Sequence, residues 1–221
     1  MSRLFFVSSL LLFSCTACFL SGSSHSTSDD TTTPEATLST FQCIPGTEQM
    51  ISSVLLDHQG KGLSSKRGYH GETHNYSFFD KSQETVTFTK LLQNNDYVIK
   101  RIIQLTEAGV PNPQAKNSGI VEPAEFSCTD SPVIKWLLYL VVNQDTNGDD
   151  QLDSTDIPLL AMSDVSGKSY TELIPGVQRI LNIIMKDSQQ LMVIYKKDNQ
   201  YHFSMIDLLQ REVTLTEQIS I

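Results

Sequence analysis

From residue 50 onward the chain is built from short apolar runs, roughly four to eight residues each, rich in Val, Ile, Leu, Tyr and Phe and closed off by Gly, Asn, Asp or Ser. A helix needs ~10–12 residues with apolar positions every 3.6 and capping residues at its ends. No such stretch stands out, so the pattern restricts the chain to a mainly β fold of antiparallel sheets. Strands are expected from Met50 to Leu56, Asn75 to Asp80, Thr85 to Leu92, Tyr97 to Leu105, Ile134 to Val142, Leu159 to Ser163, Tyr170 to Ile174, Val177 to Met185, Gln190 to Lys196, Tyr201 to Asp207 and Glu212 to Glu217. Residues 57–74 and 106–131, with their Gly and Pro, are expected to be surface loops. A β-rich region over 43–221 suits one domain with one core.

The start of the chain has a different chemistry. Arg3 is followed by the apolar run Leu4 to Phe13, which is the charged and apolar layout of an export signal over 1–20 and is too short for the ~20 apolar residues of a membrane span. Leu12-Phe13-Ser14-Cys15 resembles the lipobox of bacterial lipoproteins, with an aliphatic residue three places before the cysteine and a small one just before it. Phe13 departs from the usual small or β-branched residue. The resemblance implies an acyl anchor on Cys15, with Cys18 as the fallback and an ordinary cleaved signal as the alternative. It also implies residence in a bacterial cell envelope, at the periplasmic face of the outer membrane, with the membrane as a partner through the anchor. Residues 21–42 are dominated by Ser and Thr and have little to bury, which predicts a disordered tether.

Charge narrows the partners. The formal net charge is −9, and removing Met1 to Ser14 takes away the positive Arg3, so the exported part is more acidic still. Nucleic acid and anionic lipid surfaces require basic patches, which argues against either as the main partner. Cys43 and Cys128 remain in the folded region, in a compartment that permits disulfides. Spacing alone leaves open a bridge between them or two buried thiols.

A weak internal repeat runs along the strands. Asn75 to Ser82 followed by Phe88 to Leu92 matches Pro158 to Val165 followed by Tyr170 to Ile174, and Tyr201 to Asp207 with Glu212 to Leu215 is a third copy. In each copy an aspartate (Asp80, Asp164 or Asp207) ends one strand before a short turn and a return strand. The pattern looks like the "xLxxxDxxGxxxxxLT" strand of TolB-type β-propellers, over residues 75–218. That resemblance implies two or three blade-like antiparallel sheets rather than a complete ring, because 106–131 lacks the strand pattern where an intermediate copy would fall. The alternative is a plain β-meander.

The densest chemical signal is Asp145 to Asp156. This segment resembles the calcium loop of EF-hands, and more closely the dockerin-type variant that ends in aspartate. Calcium takes six to eight oxygens, which such loops supply from positions 1, 3, 5, 7, 9 and 12. The match makes the ligands Asp145, Asn147, Asp149, the carbonyl of Gln151, Asp153 through water, and Asp156, with Leu152 as an apolar plug. Position 6 is Asp150 where the pattern has glycine, so an aspartate must accept a left-handed backbone. The shorter Asp156 at position 12 implies weak binding, ~10⁻⁴ to 10⁻³ M. Flanking strands in place of helices exclude an opening switch and point to a structural ion that closes a hairpin. The alternative is a solvated acidic turn whose side chains cap their own backbone.

Other signals are weaker. Gly167-Lys168-Ser169 has Met162 where a phosphate loop needs its leading glycine, and no helix follows, so ATP binding is excluded. His70-Gly71-Glu72-Thr73-His74 is not in the order of a zinc protease and reads as a polar loop. Trp136 and Tyr139 read as core and rim. No Gly-x-Ser-x-Gly elbow is present, and no base is seated beside Cys43 or Cys128. The functional expectation is a non-enzymatic, calcium-stabilised envelope lipoprotein that acts as a protein-interaction or structural module. An envelope hydrolase or glycan-processing enzyme using carboxylates or the His70/His74 loop is the alternative.

Overall fold

The computed structural model describes residues 35–56, 72–106, 108 and 133–220, all within one compact unit, Pro34–Ile221. The export signal, Cys15, Cys18, His70, Cys128 and most of the two expected loops lie outside the described residues. Among the described residues thirteen strands form three antiparallel sheets. The first holds β1 (Ala36–Leu38), β2 (Gln42–Cys43), β3 (Gln49–Leu56), β4 (Thr73–Asp80) and β5 (Thr89–Lys90). The middle sheet is a meander of β6 (Val98–Thr106), β7 (Ile134–Val142), β8 (Leu159–Asp164) and β9 (Thr171–Ile174). The third repeats that plan with β10 (Arg179–Met185), β11 (Gln190–Lys197), β12 (Gln200–Asp207) and β13 (Glu212–Ile219). Among the described residues no helix is long and apolar enough to cross a membrane.

The sheets stack because alternate side chains of the middle sheet point to opposite faces. Leu137, Tyr139, Val141, Leu159 and Ala161 pack with Ile51, Tyr76 and Phe78 of the first sheet. Their neighbours Leu138, Leu160 and Met162 pack with Leu191, Val193 and Ile206 of the third. A sheet covered on both sides cannot alternate apolar with polar, which is why β7 reads as the nearly unbroken run Ile134-Lys135-Trp136-Leu137-Leu138-Tyr139-Leu140-Val141-Val142. Each fully buried leucine there contributes ~1.5–3 kcal/mol relative to exposure.

The Asp-turn repeat has a structural counterpart. Asp80, Asp164 and Asp207 end β4, β8 and β12, each the third strand of its sheet, and each carboxylate accepts hydrogen bonds from the turn that follows. Asp164 Oδ1 takes the N–H groups of Ser166 and Lys168 and the Ser166 hydroxyl, at 2.7–3.0 Å. No intermediate copy is missing near 106–131: β6 pairs directly with β7 through Thr106↔Ile134, so that segment joins two strands of one sheet. The long spacing between Asp80 and Asp164 comes from this connection and from the loop between β7 and β8.

Two further expectations are corrected. A tether is expected over 21–42, yet β1 pairs with β3 through Ala36↔Leu56 to Leu38↔Val54, and Gln42 pairs with Ile51. Backbone pairing and the bond from the Ser52 hydroxyl to the Ser39 carbonyl (2.7 Å) hold residues 36–42, and neither leaves an apolar signature. The strand expected from Thr85 to Leu92 shrinks to Thr89–Lys90. Asn75, fully buried in β4, captures the chain instead: its amide donates to the carbonyls of Leu92 and Asn94, and its oxygen accepts from Leu92 N–H.

The first sheet and the β8–β9 turn of the middle sheet meet at a tight point. Gly167, in the β8–β9 turn at φ +75°, lies against the buried Phe78 ring, and a Cβ there would stand 2.4 Å from it. Gly167→Ala is therefore expected to destabilise the protein by roughly 2–4 kcal/mol, from left-handed strain plus displacement of Phe78. Chemical denaturation measures this, and an unchanged midpoint would contradict the packing.

Candidate metal centre

The loop of interest spans 143–158 and joins β7 to β8, which pair up to Val141↔Leu159. It is organised by carboxylates that accept backbone N–H groups. Asp145, at position 1, takes Gly148 N–H on one oxygen (2.7 Å) and Asp150 N–H on the other (2.9 Å), curling the chain back on itself. Asn147 and Asp149 each cap the residue two places on, Asp149 and Gln151. Asp153 caps Thr155 through its N–H and hydroxyl, both at 2.7 Å. Asp150 sits at φ +60° and Gly148 at φ +76°, so the aspartate at position 6 does adopt the left-handed conformation the pattern requires there.

Asp156 closes the loop. It is 1 % exposed. Its Oδ1 accepts Thr146 N–H (2.6 Å), the Thr146 hydroxyl (3.1 Å) and Asn147 N–H (3.2 Å), while Oδ2 accepts Asp153 N–H (3.2 Å). One carboxylate thus ties the entry of the loop to its exit. The Thr146 N–H, helped by the other donors and opposed by burial, holds its pKa below the usual value.

Two residues from other strands pin the loop to the domain. Glu72, at the foot of β4, accepts Ser154 N–H (3.0 Å), and Lys100 of β6 donates to the Asp156 carbonyl (3.1 Å). Neither could be tied to the loop from sequence, because both lie far away along the chain. Leu152, the expected plug, is half-buried.

The donor set is all oxygen, which suits a hard cation such as calcium rather than zinc. Among the described residues, however, no three His, Cys, Asp or Glu side chains stand together as a metal-holding group. The carboxylates are occupied instead by N–H groups, and Asn147 also bridges Asp149 and Thr155. The structure brings Asp145, Asn147, Asp149, Asp153 and Asp156 onto one loop, each side chain accepting an N–H group of that loop.

Of the histidine segment, Glu72 serves the loop and His74 is buried in β4, with Nδ1 3.1 Å from the Asn95 carbonyl. Tyr139 is core, its hydroxyl 2.8 Å from that of Ser163, and burial pushes its pKa well above the ordinary value. Cys43 is disulfide-bonded.

With this geometry the class is defined: an all-β protein of three stacked, blade-like antiparallel sheets. No family model matches the chain, and no curated protein matches it. Among solved structures it is similar to the β-propeller domain of the Trilobed protease from Pyrococcus furiosus, described as having an open velcro topology, with TM-score 0.38 and 12% identity over 84% of this chain. The chain spans 43% of that structure's length.

Because the folded pKa of Asp156 is depressed, its contribution to stability is present above the ordinary carboxylate value of 3.8 and is lost as pH falls through the folded value. Melting temperature followed from pH ~5 to ~2 should fall further in the wild type than in Asp156→Asn, which lacks the titrating group. Parallel curves would show that Asp156 does not hold the loop.

Proposed function

We propose that this chain is a non-enzymatic cell-envelope lipoprotein whose calcium-stabilised β-domain serves as a protein-interaction or structural module. The observation carrying the metal part is the loop backbone. Asp145 curls the chain onto positions 4 and 6, Asp150 adopts the left-handed turn, and side-chain oxygens recur at alternate positions. Asp145, Asn147, Asp149, Asp153, Asp156 and the Gln151 carbonyl would hold the ion. When bound, calcium would neutralise the mutual repulsion of Asp145, Asp149, Asp150, Asp153 and Asp156. Its role would be to stiffen the β7–β8 hairpin, which the Glu72 and Lys100 contacts already fasten to β4 and β6.

The non-enzymatic part is supported by how the buried polar groups are used. Asn75, Asp156 and the Tyr139–Ser163 pair are all committed to holding strands and turns. For the anchor, support comes from Leu12-Phe13-Ser14-Cys15 and the Ser/Thr-rich stretch after it.

Cys128 is the proposed partner of Cys43. Ile134 N–H donates to the Pro45 carbonyl (3.2 Å), and Gly46 lies directly against Val133. The chain entering β7 therefore runs beside the turn that follows Cys43, and Cys128 is a few residues upstream, within reach at ~3.3–3.6 Å per residue.

Thermal melting with EDTA and then with millimolar calcium tests the metal: chelation is expected to lower the melting temperature by ~4 °C or more and calcium to restore it. Indifference to both would remove the ion from the account. Mass spectrometry of the chain purified from envelopes tests the cysteines. Expected are an acylated terminus at Cys15 and a Cys43–Cys128 cross-linked peptide, and an unmodified terminus or another Cys43 partner would contradict the respective assignment.

A further inference from the structure

The third sheet has one covered face and one that no described element packs against. Leu191, Val193, Tyr195 and Ile206 point toward the middle sheet. The strand registers place the opposite face in four rows, each crossing β10 to β13. Ile184, Met192, Met205 and Leu215 form one row; Asn182, Ile194, Phe203 and Glu217 form the next. None of the six apolar residues in these rows belongs to either core cluster, and Leu215 is 43% exposed.

A solvated sheet face alternates apolar with polar residues, whereas a sheet covered on both sides does not. β11 reads Leu191-Met192-Val193-Ile194-Tyr195, the same unbroken apolar pattern as β7 in the doubly covered middle sheet. Its sequence is that of a strand with a second layer over it.

The charges around this face say what the layer is. Beyond the apolar rows at one end, the register continues as Lys186, Gln190, Asp207 and Glu212; at the other end it continues as Arg179, Lys196, Tyr201 and Ile219. Cations thus occupy the β10–β11 side and carboxylates the β12–β13 side. A two-fold axis along the strands, between β11 and β12, lays β10 of one copy over β13 of another. That sets Ile184 over Leu215, Met192 over Met205, Ile194 over Phe203 and Lys186 over Glu212, so every apolar side chain of the two apolar rows meets an apolar one, and at one rim a lysine meets a glutamate. An axis across the strands would instead set Arg179 over Lys186, like charge on like.

We propose that this chain forms a homodimer through the outer face of its third sheet, related by a two-fold axis parallel to the strands. Four strands ~4.8 Å apart and about eight residues long at ~3.3 Å each give about 500 Å² of face, or ~1,000 Å² over two copies, at the threshold of a specific interface. A dimer that forms in the micromolar range follows. The proposal does not depend on the metal or on the anchor.

Sedimentation of the full chain in density-matched detergent, from ~1 to ~100 µM, tests it. Expected is a monomer–dimer equilibrium that Leu215→Glu abolishes. Lys186→Glu and Glu212→Lys should each weaken association by ~10-fold or more, and the double charge reversal should restore it. All three substitutions are at exposed positions, so folding is retained. A monomer at every concentration, a dimer indifferent to Leu215→Glu, or a charge reversal that fails to restore association would each overturn the proposal.

Discussion

The structure depends on one constraint: the middle sheet is apolar on both faces. Leu137, Tyr139 and Val141 must find cover on one side, and Leu138, Leu160 and Met162 on the other. Neither outer sheet can satisfy both demands, so the chain needs layers on both sides of β7. Once those layers are in place, the remaining features sit at the ends of strands that the stack has already fixed. The acidic loop joins β7 and β8, two strands whose side chains are mostly buried.

Aspartates do the local work at several of these strand ends. Asp80, Asp164, Asp187 and Asp207 each satisfy turn N–H groups that no ladder reaches. The 145–156 loop applies the same device several times in succession. This explains how a run of carboxylates can look like a ligand set while Asp145, Asp149, Asp153 and Asp156 are each bonded to backbone. It also identifies where a cation would act, since the ordinary turns carry one carboxylate and this loop carries five. Glu72 and Lys100 then link the loop to β4 and β6, so a change in its order would be felt in two sheets.

Much of the fold was legible in the sequence because strand periodicity and turn chemistry act locally. The strands of the third sheet were readable almost to the residue, since β10 to β13 are joined by short turns with Asp187, Asp198 and Asn199, and Asp207 at the bends. The blade-like repeat was readable through Asp80, Asp164 and Asp207. What escaped notice was non-local. β1 has exposed side chains and exists only through its pairing with β3. The expected strand after Thr85 gave way to capture by Asn75, a contact between residues on different strands. The apparent gap in the repeat arose because the connection from β6 to β7 carries no periodic signal. At the loop, the spacing gave the residues and the left-handed turn at Asp150, but burial of Asp156 and the reach of Glu72 depend on tertiary packing.

Strands β7 and β8, covered on both faces, are expected to be the last of the described strands to open. Native-state hydrogen exchange measures this directly, because protection follows the free energy of opening. The account predicts that the amides of Leu137 to Val141 and Leu159 to Met162 exchange more slowly than those of β3 and β4, which lie in an outer sheet. Slower exchange in β3 and β4 than in β7 and β8 would contradict it.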